Sequence, residues 1–527
     1  MKHPLYTWQR DCIEQWLAND GMGIVKVVTG AGKSRMALSG AKELELSLTN
    51  RLKVYIVVPK TFMVGQWTSF IMETYAEYGV NKEDIGCYYG LHKDTPDRSY
   101  MIYVINSARY ALARHILIDF KKGHSVLVIA DECHHYASAE NRKIFDFLPK
   151  LSHSDKKNYF SLGLSATPLT EGFDDTLVPS LGPLIYTYGF GQAIESKVIN
   201  NCVLYNIGLR FTGAESIEYA DLSIDIAKLL SVSHKYTLIS LKEKKQDFFI
   251  ILRRLAGSKD LPASRWAIGL LGLLYKRRTL IHEASVRLEC AAVLISRLDP
   301  LSTIIIFGER ISQTDFLYES LDKMYPNKVA RYHSEMGGDA KKQALDRFKN
   351  KEVRILVSCK ALDEGFNIPN ADVGIVLSST SAQRQRIQRL GRVLRSSSTK
   401  ALSNLYYFFI SDTVEEKALL KEPVTQMQEF TLHYFSDEKH FSHDVYDELA
   451  HRVVEHMNKK KQDESIIDIM RYFLELGQLK SDWLLEEEAI QERVNQSQEK
   501  VEKNYWLCML QMARMREENA ALNRVDN

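Results

Sequence analysis

Ile24-Val25-Lys26-Val27-Val28 runs directly into Thr29-Gly30-Ala31-Gly32-Lys33-Ser34 and then into the helix-forming Arg35–Leu46. A short β-branched run, a glycine-bearing turn and a helix in immediate succession open a doubly wound α/β sheet. Glycines let backbone N–H groups approach phosphate oxygens, and the helix N-terminus adds partial positive charge. Lys33 is placed to reach the β- and γ-phosphates of a nucleotide, and the Ser34 hydroxyl to coordinate Mg²⁺. Val27 stands where the full G-x-x-x-x-G-K-[ST] pattern has its first glycine.

Working outward, Val54–Val58, Met101–Ile105, Val126–Ala130 and Tyr159–Leu164 are further apolar runs of strand length. Their composition suits parallel strands buried on both faces. Phe62–Tyr78 and Asn141–Leu148 have helical spacing between them. A second set follows at Thr303–Phe307, Val329–Tyr332, Val353–Val357, Gly374–Leu377 and Leu405–Ile410. The pattern predicts two α/β domains, 1–200 and 299–420, a mainly helical insertion over 201–298, and an acidic helical extension over 421–527. In that extension Ile466, Ile467, Met470, Phe473 and Leu474 form an apolar stripe at helical spacing, which is expected to pack on its own protein.

Asp131-Glu132-Cys133-His134-His135 directly follows the apolar run Val126–Ala130. A carboxylate at the end of a buried strand, downstream of a phosphate loop, is where Mg²⁺ is held, so Asp131 joins Ser34 as a candidate ligand. Glu132 beside it is placed to deprotonate an attacking water. Cys133, His134 and His135 are adjacent in the chain and cannot readily face one ion, which argues against zinc. Far downstream, Gln388-Arg389-Leu390-Gly391-Arg392-Val393-Leu394-Arg395 concentrates arginines of the kind a second domain lends to a bound nucleotide.

Composition excludes several classes. Hydrophobic and charged residues make up 45% and 26% of the 527, ordinary for a globular chain. The longest apolar run, Trp266 to Tyr275, is about half of a membrane span. Seven isolated cysteines with no C-x-x-C speak against a disulfide framework and for a reduced, cytoplasmic setting. Residues 421–527 carry 14 Lys/Arg against 22 Asp/Glu, a balance of −8 that leaves +10 on 1–420. A basic body suits a polyanionic partner, and the acidic tail offers a surface for a protein partner. Lys242-Glu243-Lys244-Lys245 and Lys276-Arg277-Arg278 are dense in the insertion, as a solvated face or as contacts to nucleic-acid backbone.

Taken together these motifs resemble superfamily 2 helicases and translocases of the DExH kind, over roughly residues 5–410. Tyr6-Thr7-Trp8-Gln9-Arg10 resembles the adenine-reading segment, although the family's L-R-P is missing before Gln9. Val57 to Thr61 with Gln66-Trp67 resembles motif Ia, Asn106-Ser107 motif Ib, and Asp131 to His134 motif II. Ser165-Ala166-Thr167 resembles motif III, Thr303 to Gly308 motif IV, and Ser358 to Pro369 motif V. Gln388 to Arg395 resembles motif VI. The DECHH string and Q-R-L-G-R-V-L-R are most similar to the branch holding xeroderma pigmentosum group B helicases and the helicase parts of type III restriction enzymes.

The resemblance implies two tandem RecA-like domains clamping ATP and Mg²⁺ while moving on DNA, with 3′ to 5′ stepping. Gln9, Thr29, Gly30, Ala31, Gly32, Asp363 and Gly365 would bind the nucleotide. Arg392 and Arg395 would reach its γ-phosphate, a contribution of ~10³–10⁵ in rate. His134, Ser165, Thr167, Gln388 and Arg389 would couple nucleotide to nucleic acid. Lys60, Thr61, Ser107, Ser358 and Lys360 would touch its phosphates, which carry no sequence information. RNA in place of DNA, and an ATP-gated clamp in place of a motor, stay open at this point.

Overall fold

The computed structural model describes residues 4–198, 201–236, 245–359, 371–378, 402–420, 428–461 and 463–525. The chain folds into two compact units, one built on residues up to Cys202 and the other on most of the rest. Each contains an eight-stranded, mostly parallel sheet with helices on its faces.

The first sheet has the order β4-β3-β5-β2-β6-β7-β1-β8. Its strands are β1 Met22–Val27, β2 Leu52–Val58, β3 Ile85–Tyr89, β4 His92–Lys93, β5 Tyr100–Val104, β6 Ser125–Asp131, β7 Tyr159–Ser165 and β8 Leu184–Tyr188. β2 and β6 are buried along their whole length, which is why they read as unbroken apolar runs. Four helices flank these strands: α1 Thr7–Ala18, α2 Lys33–Ser47, α3 Phe62–Thr74 and α4 Ile105–Lys121. Asn141–Leu148, expected as a helix, forms short tight turns at Asn141–Phe145 and Leu148–Lys150. Pro149 lies in the first turn of the latter, where its missing N–H costs nothing.

One row of paired residues crosses this sheet and sets the level of everything above it. Ile24 pairs with Gly163, Gly163 with Ala130, Ala130 with Val57, Val57 with Tyr103, and Tyr103 with Tyr88. These strands are parallel, so the residues following the row emerge from the same edge.

The second sheet has the order β11-β12-β10-β13-β14-β9-β15-β16. Its strands are β9 Asn201–Leu209, β10 Ile304–Gly308, β11 Val329–Tyr332, β12 Ile355–Cys359, β13 Val373–Val376, β14 Leu402–Ile410, β15 Gln428–Phe435 and β16 His440–Ser442. Two segments assigned from sequence to helical regions therefore belong to this sheet. β9 opens the expected insertion, and β15 with β16 opens the expected extension. β15 lies parallel to β9, with Val203 opposite Gln428.

The insertion is helical from Gly213 onward. Thr212 caps its first helix reciprocally, its hydroxyl accepting from the Glu215 N–H at 3.3 Å while Glu215 accepts from the Thr212 N–H at 2.9 Å. Helices Gly213–Ser231, Lys245–Ala256 and Leu261–Glu283 close around Ile226, Leu252, Trp266 and Leu270. The apolar stripe of the extension forms helix Glu464–Gly477, and Met470 and Leu474 enter a core with Tyr446, Trp483 and Met509. That core is tied to the sheet through Ser481, whose hydroxyl lies 3.0 Å from Tyr205 Oη on β9 and donates to Asn404 Oδ1 at 2.5 Å on β14. No helix among the described residues is long and apolar enough to cross a membrane.

Candidate active site

The loop after β1 turns twice through backbone conformations that glycine adopts without strain, Gly30 at φ 91° and Gly32 at φ 95°. Gly32 is also a close approach, since a Cβ there would lie 2.8 Å from Gln9 Nε2. α2 begins at Lys33 with no acidic residue in its first turn, which leaves its N-terminal partial charge uncompensated. Lys33 Nζ donates to the Val27 carbonyl at 3.0 Å, folding the lysine back over the loop. Gln9 is fully buried. Its Nε2 donates to the Gly32 carbonyl at 3.0 Å, and its Oε1 accepts from the Tyr6 N–H at 3.0 Å. Gln9 thus ties the phosphate loop to the N-terminus of α1, one end of its amide on Gly32 and the other on Tyr6.

Asp131 ends β6, one residue past the common row. Its Oδ2 accepts from Trp67 Nε1 at 2.8 Å, and its Oδ1 accepts from the Glu132 N–H at 3.0 Å. Burial and the neighbouring Glu132 carboxylate raise its pKa to about 6. The next residue, Glu132, takes φ 48°, a left-handed conformation uncommon for a residue with a side chain. That turn sets two successive carboxylates side by side at the strand end. Tyr136 fastens the turn below, its hydroxyl 2.9 Å from the Val57 carbonyl and 2.7 Å from the Asp131 carbonyl.

A polar relay leaves this pair. Glu132 Oε2 lies 3.6 Å from His134 Nδ1, which lies 2.9 Å from Ser165 Oγ, and Ser165 Oγ accepts from the Thr167 N–H at 3.0 Å. Glu132, His134 and Ser165 are all buried. Cys133 points into the core, where burial pushes its thiol well above the usual range. No group of three or more His, Cys, Asp or Glu side chains that could hold a metal ion exists among the described residues.

Three buried oxygens here have no hydrogen-bond partner: Thr29 Oγ1, Glu132 Oε2 and Thr167 Oγ1. Leaving such a group unsatisfied costs about 1–3 kcal/mol. A ligand bringing hydrated cation and phosphate to this edge would relieve that cost, so the donor set fits Mg²⁺ and a nucleoside triphosphate. Thr29 to Ser34 would supply the phosphate cradle, and Ser34 with Asp131 would hold the Mg²⁺.

Of the expected nucleic-acid contacts, Lys60 and Thr61 are exposed just beyond β2, and Ser107 is half-buried in the first turn of α4 beside exposed Asn106. Ser358 is a correction. It is buried within β12, and its hydroxyl donates to the Ile306 carbonyl at 3.0 Å, leaving no free edge for a phosphate. Lys360, Asp363, Gly365, Gln388, Arg389, Arg392 and Arg395 lie outside the described residues. Tyr136, outside every motif, and Trp67, read only as part of motif Ia, join the site by fixing motif II in place. The Q-W dipeptide at Gln66-Trp67 is the sequence signal for the second.

A doubly wound sheet carrying this cradle, acidic pair and serine relay on one edge, followed by a second such sheet, defines an ATP-hydrolysing helicase or translocase of superfamily 2. Residues 2–170 match the type III restriction enzyme res-subunit model, and residues 287–397 match the helicase conserved C-terminal domain. The DNA 3'-5' translocase XPB2 of Sulfurisphaera tokodaii is 26% identical over 410 residues, 76% of this chain and 81% of that protein. The DNA 3'-5' helicase XPB of Kineococcus radiotolerans is 22% identical over 415 residues, 78% of this chain and 61% of that protein. A structure described as an HsdR subunit fragment of a type I restriction enzyme from Vibrio vulnificus YJ016 superposes with a TM-score of 0.50 at 17% identity. It covers 83% of this chain and 70% of that one, a likeness of fold alone.

Proposed function

We propose that this chain is an ATP-driven translocase on DNA, turning over ATP at the carboxyl edge of its first sheet and stepping along a strand held on the same edge. The observation that carries the reading is the common row. Within four residues past it stand the Asp131–Glu132 pair, the Ser165–Thr167 segment, Lys60–Thr61 and Asn106–Ser107. Nucleotide chemistry and backbone contacts thus share one rigid edge, joined by the His134–Ser165 link.

In this reading Lys33 leaves the Val27 carbonyl to meet the β- and γ-phosphates, and the Gly30 and Gly32 turns aim N–H groups at the same oxygens. Bound Mg²⁺ would neutralise charge between those phosphates, held by Ser34 and Asp131 with Trp67 fixing the carboxylate. Glu132 takes the proton of the attacking water. Loss of the γ-phosphate then changes what Glu132 faces, and His134 passes the change to Ser165 and Thr167. Arg392 and Arg395 complete the site in this scheme, on the strength of the motif. DNA as track and 3′ to 5′ as direction are drawn from the names of the two XPB relatives.

Steady-state ATPase with no nucleic acid, single-stranded DNA, duplex DNA and matched RNA tests the reading, with Glu132→Gln as the blank. Stimulation by DNA of tenfold or more is expected. Preference for RNA would reassign the track, and equal rates in all four would overturn the reading.

A further inference from the structure

β3 and β4 form a hairpin at the edge of the first sheet, with Tyr88 opposite Lys93 and Tyr89 opposite His92. The two residues at its tip are Gly90, at φ 52°, and Leu91. Leu91 is 101% exposed, the most exposed large apolar side chain among the described residues. Single exposed leucines are common on surfaces and mean nothing alone. The position of this one is specific. Tyr88, Tyr103 and Val57 share the common row, and the third residue beyond it is Leu91 after β3, Asn106 after β5 and Lys60 after β2. At ~4.8 Å per strand, the tip stands one strand from the Asn106–Ser107 turn and two from Lys60–Thr61. It is roughly 24 Å, five strands, from the phosphate loop, too far to touch the nucleotide.

The base of the hairpin is bolted. Tyr88 stacks on Tyr103 at 5.1 Å and meets His115 edge-on at 5.3 Å. Asp94 accepts from the Cys87 N–H at 2.8 Å and returns its own N–H to the Cys87 carbonyl at 3.0 Å. The return loop is held by buried Lys53, which donates to the Pro96 and Arg98 carbonyls, the former at 3.1 Å. Beside the tip, Tyr89 packs on His92 at 5.1 Å, and Lys93 carries a positive charge along the flank. A rigid stalk, an apolar point and a cationic flank suit a base pair above and phosphates alongside.

We propose that Leu91 is a strand-separating wedge, on which the first base pair of a DNA fork stacks while one strand continues along Lys60–Thr61 and Asn106–Ser107. This rests on the translocase reading and adds duplex unwinding to it. The test is displacement of a labelled strand from a 3′-tailed duplex by wild type, Leu91→Ala, Leu91→Asn and Leu91→Met. ATPase stimulation by single-stranded DNA is measured alongside, as is displacement of a third strand from a triplex as a measure of movement. Leu91→Ala and Leu91→Asn are expected to lose tenfold or more in duplex displacement, with ATPase and triplex displacement within twofold of wild type. Leu91→Met is expected to retain unwinding. Wild-type unwinding by Leu91→Asn would overturn the wedge, as would parallel loss of ATPase, which would make the tip part of the strand grip. A wild-type chain that moves on DNA yet displaces no strand would overturn the wedge and leave the translocase reading intact. Absence of any DNA stimulation in the wild type would remove both.

Discussion

The two sheets are alike in size and winding, and each leaves some buried polar atoms without a hydrogen-bond partner, but the groups that stand out in each are placed to different ends. In the first, Thr29, Glu132 and Thr167 keep buried oxygens without a hydrogen-bond partner within a few residues of one edge. In the second, the largest buried charge is fully spent on architecture. Arg287, 0% exposed, donates to the carbonyls of Ile281, Leu377 and Phe408, the first at 2.8 Å and the last at 3.2 Å, and pairs with Glu415. Ser358 likewise gives its hydroxyl to Ile306. At the first sheet's edge the unsatisfied oxygens lie beside the phosphate loop and the acidic pair, whereas Arg287 and Ser358 hold the second sheet in register.

The sharpest way to break that contrast is at Glu132. Glu132→Gln is expected to lower ATP turnover by ~10²–10⁴ while still binding ATP, because the phosphate cradle is untouched. Steady-state ATPase beside nucleotide binding checks it, and near-normal turnover would mean the Glu132 oxygen awaits nothing catalytic. Arg287→Met should act on stability instead, at about 3–5 kcal/mol, because Glu415 loses its cationic partner. Denaturant unfolding of the full chain measures this, and Arg287→Met combined with Glu415→Gln should recover part of the loss. Trp67→Phe removes a donor to Asp131 and should raise the Mg²⁺ concentration needed for half-maximal ATPase about 10-fold, alongside the loss of stability that a core cavity brings.

The smallest effect is expected at His443, which accepts from the Tyr446 N–H at 3.4 Å among Tyr205, Phe430 and Trp483. Burial lowers its pKa, so the folded chain resists a proton that the unfolded chain accepts. Stability from this group is therefore present above the unfolded value of about 6.5 and falls as pH drops below it. His443→Phe should lose less of its denaturant midpoint than wild type between pH 7.5 and pH 5.5.

Much of the architecture was legible because parallel strands buried on both faces are continuous apolar runs. β6 and β10 show this, one extended by a residue at each end and the other shifted along by one. The hairpin of β3 and β4 is hidden in the sequence because its exposed residues, Tyr-Gly-Leu-His-Lys, carry no strand periodicity. β15 is hidden because Gln428–Phe435 sits in an acidic, helix-rich context, and pairing with β9 on one side and β16 on the other makes it a strand. At the site, the phosphate loop and the acidic pair were visible as motifs. Bracing by Gln9, Trp67 and Tyr136 was not, since each joins residues distant in sequence or reuses side chains that periodicity assigns to a core.

The place of β9 also bears on how the chain is made. Residues 201–209 leave the ribosome with neither lateral neighbour yet synthesised, since those are residues 402–410 and 428–435. At ~5–20 residues per second the strand waits roughly ten to forty seconds with both edges open. Translation stopped near residue 420 would leave one edge permanently bare. For this protein the C-terminal region is the closing edge of a sheet begun two hundred or so residues earlier.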